Sequence, residues 1–224
     1  MEITVPDEVP VMTLPHTAFF PQALMPLHIF EPRYRRMLCD ALAADRLFAV
    51  AGINLRLVEV PGQFEPPHRI TTVGIIRACQ KNGNGTSNLL LQGICRVEIM
   101  GIVSDEPYRR IRIRALASQA GASDEAIQSM RREVSRLLNL KRKFAAASAE
   151  MAAFLKTVED PEAFADIAAY SLCEDPDLKQ RLLETLDVHR RLELLGGQLR
   201  KDIAELKLLR KLQGRLPDER ISDN

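Results

Sequence analysis

Four histidines, His16, His28, His68 and His189, are the side chains of this 224-residue chain best suited to moving a proton near neutral pH. They lie far apart in the sequence. His28 stands in the apolar run Leu27-His28-Ile29-Phe30 next to Glu31. An imidazole beside a carboxylate is the arrangement of a general base, but the apolar run points instead to a buried, hydrogen-bonded structural histidine. The serines lie in loops or on helix surfaces, and no G-x-S-x-G elbow surrounds any of them. Cys39, Cys79, Cys95 and Cys173 form no C-x-x-C pair, and three of them sit in apolar runs. They read as small buried hydrophobes in a reducing compartment, with Cys39 packing beside Leu38. Gly83-Asn84-Gly85 lacks the lysine, the third glycine and the helix of a phosphate-binding loop. No H-E-x-x-H or EF-hand pattern occurs. The residues thus specify no catalytic set, no metal site and no cofactor, and the chain reads as a non-enzyme.

Charge patterning adds one further chemistry to weigh. Arg110, Arg112 and Arg114 alternate with Ile111, Ile113 and Ala115, which puts three guanidinium groups on one face of a strand. Such a row could track a phosphate backbone or could be a solvated outer face. Basic and acidic residues number 31 and 30, so the molecule as a whole is not drawn to nucleic acid or to anionic membrane. Aromatic residues for base stacking are scarce as well, at 5% of the chain. RNA binding is therefore the alternative function and not the leading one. Arg131-Arg132 and Lys141-Arg142-Lys143 read as helix exteriors. No stretch approaches the roughly 18 apolar residues of a membrane span, and the first residues, Met1 to Asp7, do not form a signal peptide. A cytoplasmic protein is expected.

The elements that must position these groups change character once along the chain. Up to about residue 116 the apolar period is mostly two, and after about residue 123 it is helical. Two domains are expected, 1–118 rich in β-strand and 119–224 helical. Odd positions from Leu89 to Val103 form a small-or-apolar face too long for one flat strand, with Gly93 and Gly101 as natural bends or bulges, while Gln92, Arg96 and Glu98 face the other way. Arg69 to Cys79 is apolar on both faces, and Lys81-Asn82-Gly83-Asn84-Gly85 joins the two runs as a hairpin loop. Shorter strands are expected at 9–14 and 47–54. This set favours a small closed or partly closed barrel. Pro32 opens a helix over about 32–44, with Tyr34, Leu38, Ala41 and Leu42 on one stripe. In the second half Ser123, Asp160, Asp175 and Asp187 mark helix starts, and the last helix carries leucines to Leu209. Gly196-Gly197 inside it costs about 1 kcal/mol per glycine against alanine, so close packing or a bend is expected there.

The most informative stretch runs from Leu14 to Met37 and reads as strand, loop, strand and helix. Its loop sets Phe19, Phe20, Leu24 and Met25 between prolines. These groups either plug the barrel or stand out as an adhesive apolar surface. The run Leu14-Pro15, Phe20-Pro21 and Pro26-Leu27-His28-Ile29-Phe30-Glu31-Pro32-Arg33-Tyr34 resembles the opening signature of the Lon protease N-terminal domain family. The likeness continues in Val73-Gly74-Ile75-Ile76, in Leu90 to Val97, in Pro107-Tyr108-Arg109 and in the helical segments Phe164 to Ala169 and Gln180 to Leu192, covering about residues 9–211.

That resemblance implies an α+β fold: an N-terminal PUA-like β pseudobarrel with one short helix, then a C-terminal α-helical bundle ending in a long helix. In Lon proteases this region engages substrate polypeptides and helps the hexamer assemble, and an ATPase and a serine–lysine peptidase follow it. Neither is in this sequence, so the resemblance implies a substrate-recognition or chaperone-like module for unfolded or hydrophobic polypeptides, without catalysis. Its start at Met1 and the charged residues Pro217 to Arg220 suggest a stand-alone protein. The expected binding residues are Phe19, Phe20, Leu24, Met25 and Phe30, helped by the cleft between barrel and helices. Pairing with another copy through the long C-terminal helix is the second expected partnership.

Overall fold

The computed structural model describes residues 4–58, 64–143 and 149–213. It is an α+β structure of six strands and six helices in which most of the strands close into a ring. The strands are β1 (Glu8–Leu14), β2 (Leu24–Ile29), β3 (Leu47–Gly52), β4 (Ile70–Lys81), β5 (Ser87–Ser104) and β6 (Arg110–Leu116), with α1 (Pro32–Ala43) between β2 and β3. Their order is β2-β5-β4-β3-β1-β6, and β6 pairs with β5 as well as β1. β5 makes this possible by changing partners along one edge. Its first residues pair with β2, up to Leu24 opposite Gln92, and its later ones with β6, from Arg96 opposite Leu116. Gly93 lies at the changeover. A Cβ there would stand 2.0 Å from the Phe20 carbonyl oxygen, so only glycine lets the β1–β2 loop cross so closely. Register shifts beside Gly93 and Gly101 confirm both as sites of bulging.

Local sequence accounts for most element boundaries. The β4–β5 hairpin turns through Gly85 at φ +80°, with the Gly85 amide donating to the Asn82 carbonyl at 3.0 Å. β4 is buried on both faces over its first half, as its doubly apolar sequence requires. α1 starts at Pro32 and buries Tyr34, Met37, Leu38 and Ala41; Leu42, expected on that stripe, is instead exposed, and Met37 takes the place. The helices that follow are α2 (Asp124–Lys141), α3 (Ala149–Thr157), α4 (Pro161–Leu172), α5 (Pro176–Glu184) and α6 (Val188–Gln213). Ser123, Asp160 and Asp175 each accept a first-turn amide, and Asp187 accepts the Arg190 amide at 2.8 Å. The charged residues 217–220 fall outside the described residues.

The apolar interior has three parts. One lies inside the ring, built by Val9, Val11, Ala49, Val73, Val97 and Ile111. A second lies among α2, α4 and α6, around Val134, Phe164, Leu192 and Leu199. The third, containing Phe19, Phe20, Met25, Tyr34 and Phe48, also takes in Ala169, Cys173, Leu178, Leu182 and Leu183. Apolar packing therefore runs across the expected domain boundary at residue 118, from the barrel to α4 and α5.

Candidate functional site

The signature segment Pro26 to Tyr34 turns out to do mostly structural work at its C-terminal end. Tyr34 is buried, and its hydroxyl bridges the backbone of β1, accepting from the Thr13 amide at 3.2 Å and donating to the Thr13 carbonyl at 3.3 Å. Arg33 grips Glu65 through two nitrogens at 2.9 and 2.8 Å, reaches Glu31 at 3.0 Å and lies 4.5 Å over the Tyr34 ring. Burial alone would raise the Glu65 carboxyl. The Arg33 and Thr13 hydrogen bonds and the Arg33 charge outweigh it and hold Glu65 below the ordinary glutamate value. Arg109 completes the clamp, donating to the carbonyls of Phe64 and Glu65 at 2.7 Å each. Arg33, Tyr34 and Arg109 thus fasten Phe64 and Glu65 to α1 and β1. Glu31 is committed to Arg33 and not to His28.

The apolar residues of the β1–β2 region separate into two groups, which corrects part of the expected binding surface. Phe19 and Phe20 have no exposed area and Met25 is 6% exposed, so these three are the plug and not the surface. The Thr72 hydroxyl donates to the Phe19 carbonyl at 2.6 Å, and the Phe19 ring meets Tyr170 of α4 edge-on at 6.5 Å. Sequence alternation along β2 explains the split: Met25 and Ile29 point inward, so Leu24, Pro26 and His28 point outward. Leu24 is 50% exposed and Phe30, just beyond the strand, 61%. His28 is exposed, not buried as expected; its Nδ1 lies 2.6 Å from the Asn88 Oδ1 on the neighbouring strand and its ring stacks on Phe30 at 6.1 Å. The result is an uncharged outward face of Leu24, Pro26, His28 and Phe30 on a strand that, among the described residues, pairs on one side only.

A cleft of about 290 Å³ opens between the barrel rim and α5, where the sequence reading placed a barrel–helix groove. Its walls mix polar groups, His16, Asn54 and His68 from the rim and Asp177, Gln180 and Glu184 from one face of α5, with apolar Ile53, Leu55 and Pro176. His68 Nδ1 lies 3.8 Å from Glu184 Oε1. Burial nevertheless pushes the His68 imidazole below its ordinary value, against the pull of Glu184 and Asp177. No group of three or more metal-ligating side chains assembles among the described residues.

Sequence reasoning missed the ionic junction that joins the two halves. Arg96, assigned to an outward face, is 1% exposed. It donates to both carboxylate oxygens of Asp166 on α4, at 2.7 and 2.6 Å, and to the Leu183 carbonyl at 3.0 Å. Arg191 of α6, also 1% exposed, donates to the same carboxylate and to the Ser118 hydroxyl. Burial lowers the Arg191 guanidinium from its ordinary value, against the pull of Asp166. The available signal was Asp166 itself, a carboxylate inside the apolar run Phe164-Ala165-Asp166-Ile167-Ala168, which needs a cation once buried.

Other sequence candidates find plain structural roles. Arg112 pairs with Glu8 at 2.8 Å and Arg114 with Glu98, which also takes Arg69 at 2.7 Å, so two of the three arginines of the row are held in ion pairs. Arg131 is no exterior residue: it lies 5.1 Å over the Phe164 ring and donates to the Val158 carbonyl. Cys39 is exposed and not packed, Cys79 and Cys95 are half-buried, and Cys173 is buried; burial raises the Cys95 and Cys173 thiols. Among the described residues no helix is long and apolar enough to cross a membrane.

Comparison with known proteins agrees with this architecture. The Lon protease of Syntrophus aciditrophicus is 27% identical over 218 residues, and that of Dictyoglomus thermophilum 28% over 222. Each alignment takes in 96% of this chain but only 28% and 27% of those proteins, so the chain spans a little over a quarter of the relatives it matches. The fold is similar to the N-terminal domain of Mycobacterium avium complex Lon protease, with TM-score 0.67, 22% identity and coverage of 86% of this chain and 98% of that one. It is also similar to a Lon N-terminal domain protein from Xanthomonas campestris, with TM-score 0.60, 20% identity and coverage of 84% and 96%. The family described as the ATP-dependent protease La (LON) substrate-binding domain matches residues 8–201, and the chain belongs to that family.

Proposed function

We propose that this chain is a non-catalytic polypeptide-binding module, a substrate-recognition or holding element, and that the outward face of β2 is where it grips. The observation that carries this reading is the exposure of Leu24 and Phe30 on an uncharged strand, in a member of a substrate-binding family. Exposed apolar groups of that size on a strand face are what an adhesive surface for unfolded chain requires. The charged groups that could do other chemistry are committed elsewhere: Glu31 and Glu65 to Arg33, Asp166 to Arg96 and Arg191. The cleft between the barrel rim and α5 is proposed as a second, separate contact for a bound chain. Self-association is a further part of the proposal, because Leu208, Leu209 and Leu212 on the last turns of α6 are each more than half exposed.

The test is a pair of serine substitutions, Leu24→Ser and Phe30→Ser, read by fluorescence anisotropy with a labelled, permanently unfolded polypeptide and by thermal unfolding. The unaltered chain should bind in the micromolar range expected of a small patch. The double variant should lose at least about tenfold in affinity while its Tm moves by no more than about 3 °C, since neither side chain is core. Unchanged affinity in a folded double variant would refute the site.

A further inference from the structure

We infer that an extended polypeptide is held by adding a strand to the open edge of β2, so that its backbone is recognised together with its side chains. This deepens the polypeptide-binding reading and rests on it. β2 runs antiparallel to β5 and pairs with no other strand among the described residues.

The hydrogen-bonding phase of its free side can be read from the residue that precedes it. The Gly93 amide donates to the Ala23 carbonyl at 2.9 Å, so Ala23 faces β5. Successive residues of an antiparallel ladder alternate between facing the partner and facing away, which turns the backbone groups of Leu24, Pro26 and His28 outward. Pro26 falls in that outward set, the place in a sheet where a residue without an N–H is tolerated. The open edge therefore offers an N–H and a C=O at Leu24, the same at His28, and a C=O at Pro26. Unpaired edges of this kind template the addition of another strand. Natural edges are commonly blunted by lysine or by an inward charge; from Pro21 to Phe30 there is no charged residue, and Pro26 removes only the middle donor.

The side chains define the occupant. In an added strand, residues paired with Leu24 and His28 lie on the same face as those residues, about 5 Å from them. They meet Leu24 on one side and the stacked His28 and Phe30 rings on the other. The matching ligand is a neutral extended segment with apolar side chains at alternate positions. Size separates this occupant from a second copy of the chain. A six-residue strand is about 20 Å long. Edge-to-edge docking over that length alone buries far less than the roughly 800 Å² per partner of a stable protein complex. A single extended segment demands no more than this length.

Backbone chemistry provides the test. A labelled peptide alternating leucine with serine or threonine is compared, on the full chain, with two N-methylated forms. One is methylated at the leucines, whose amides would face β2, and the other at the serines and threonines, whose amides would face away. The parent should bind. Methylation at the leucines should weaken binding about tenfold or more, because it removes edge hydrogen bonds, whereas methylation at the polar positions should change it less than about twofold. The Leu24 and His28 amides should gain hydrogen-exchange protection only when the parent peptide is present. Equal binding by all three peptides would overturn strand addition and leave side-chain adhesion, with the polypeptide-binding reading intact. Failure of the parent peptide and of unfolded polypeptide alike would sink both. Protection of those two amides that rises with protein concentration, without peptide, would show the edge taken by a second copy and overturn the occupant.

Discussion

Replacing Asp166 by asparagine would remove the charge on which Arg96 and Arg191 converge. Asp166 has no exposed area, and both arginines are 1% exposed. Asparagine keeps the shape but turns one acceptor oxygen into a donor facing a guanidinium. The remaining carboxylate nearby, Glu162, stands 3.5 Å from Arg96 and 3.4 Å from Arg191 and is itself 42% exposed, so it cannot neutralise two buried cations. Stranding a buried charge in this way costs about 3–5 kcal/mol, a large part of the roughly 5–15 kcal/mol that holds a domain folded. For a chain of this size each kcal/mol moves Tm by about 2–4 °C, so a fall of about 6–20 °C is expected by calorimetry, with a matching drop in the urea midpoint. The combined change Arg96→Met, Asp166→Leu and Arg191→Leu removes all three charges at once. It should restore most of the loss, because apolar replacements of buried ion clusters are often neutral. A loss of less than about 1 kcal/mol for Asp166→Asn, the value of an exposed pair, would refute the reasoning: it would mean that the arginines find solvent and that this junction does not join the halves.

Three other outcomes are expected. Glu65→Gln should cost about 1–2 kcal/mol at neutral pH by loosening the Arg33 clamp. Because the folded Glu65 titrates below its ordinary value, its contribution is present above about pH 4.3 and fades as pH falls through the folded value, so urea titrations of the two proteins should converge in acid. Gly197→Ala should raise Tm by about 2–4 °C, since α6 gains about 1 kcal/mol of helix propensity and no atom lies within 4 Å of the new Cβ; a lower Tm would contradict that open space. Serine at Leu208, Leu209 and Leu212 should abolish the concentration-dependent association expected in sedimentation equilibrium, and a wild-type chain that stays monomeric throughout would remove that part of the proposal.

The parts of the fold legible in sequence are those that depend on near neighbours. The Asn-Gly loop at 82–85, the bulges beside Gly93 and Gly101, Pro32 opening α1 and the aspartate caps are each set by a few adjacent residues, and the structure has them in place. What the sequence left open depends on partners far along the chain. Phe19 and Phe20 could have faced either way until Tyr170, Leu178 and Leu182 arrived from the helices to enclose them. Arg96 follows the outward phase of its strand and yet is buried, because Asp166, 70 residues on, meets it. At Gly196 a Cβ would sit at an ordinary 3.6 Å from Val134 of α2, so that position does not require glycine for space. In the expected site, Leu24 and Phe30 alone of the five apolar residues reach solvent: the phase of β2 turns Leu24 out and Met25 in, and the helices enclose Phe19 and Phe20.

The ring of strands has a consequence for how the chain is made. β1 lies between β3 and β6, and β6 begins about a hundred residues after β1. On a ribosome, the first strand emerges well before the one that will seal it, and it must wait through the synthesis of about a hundred further residues. During that interval β1 can lean on β3 alone, in a parallel pairing, with its other side bare to any chaperone or neighbouring nascent chain. Closure of so long a loop is slow on the scale of small-domain folding, so maturation of the barrel should lag behind the appearance of its strands.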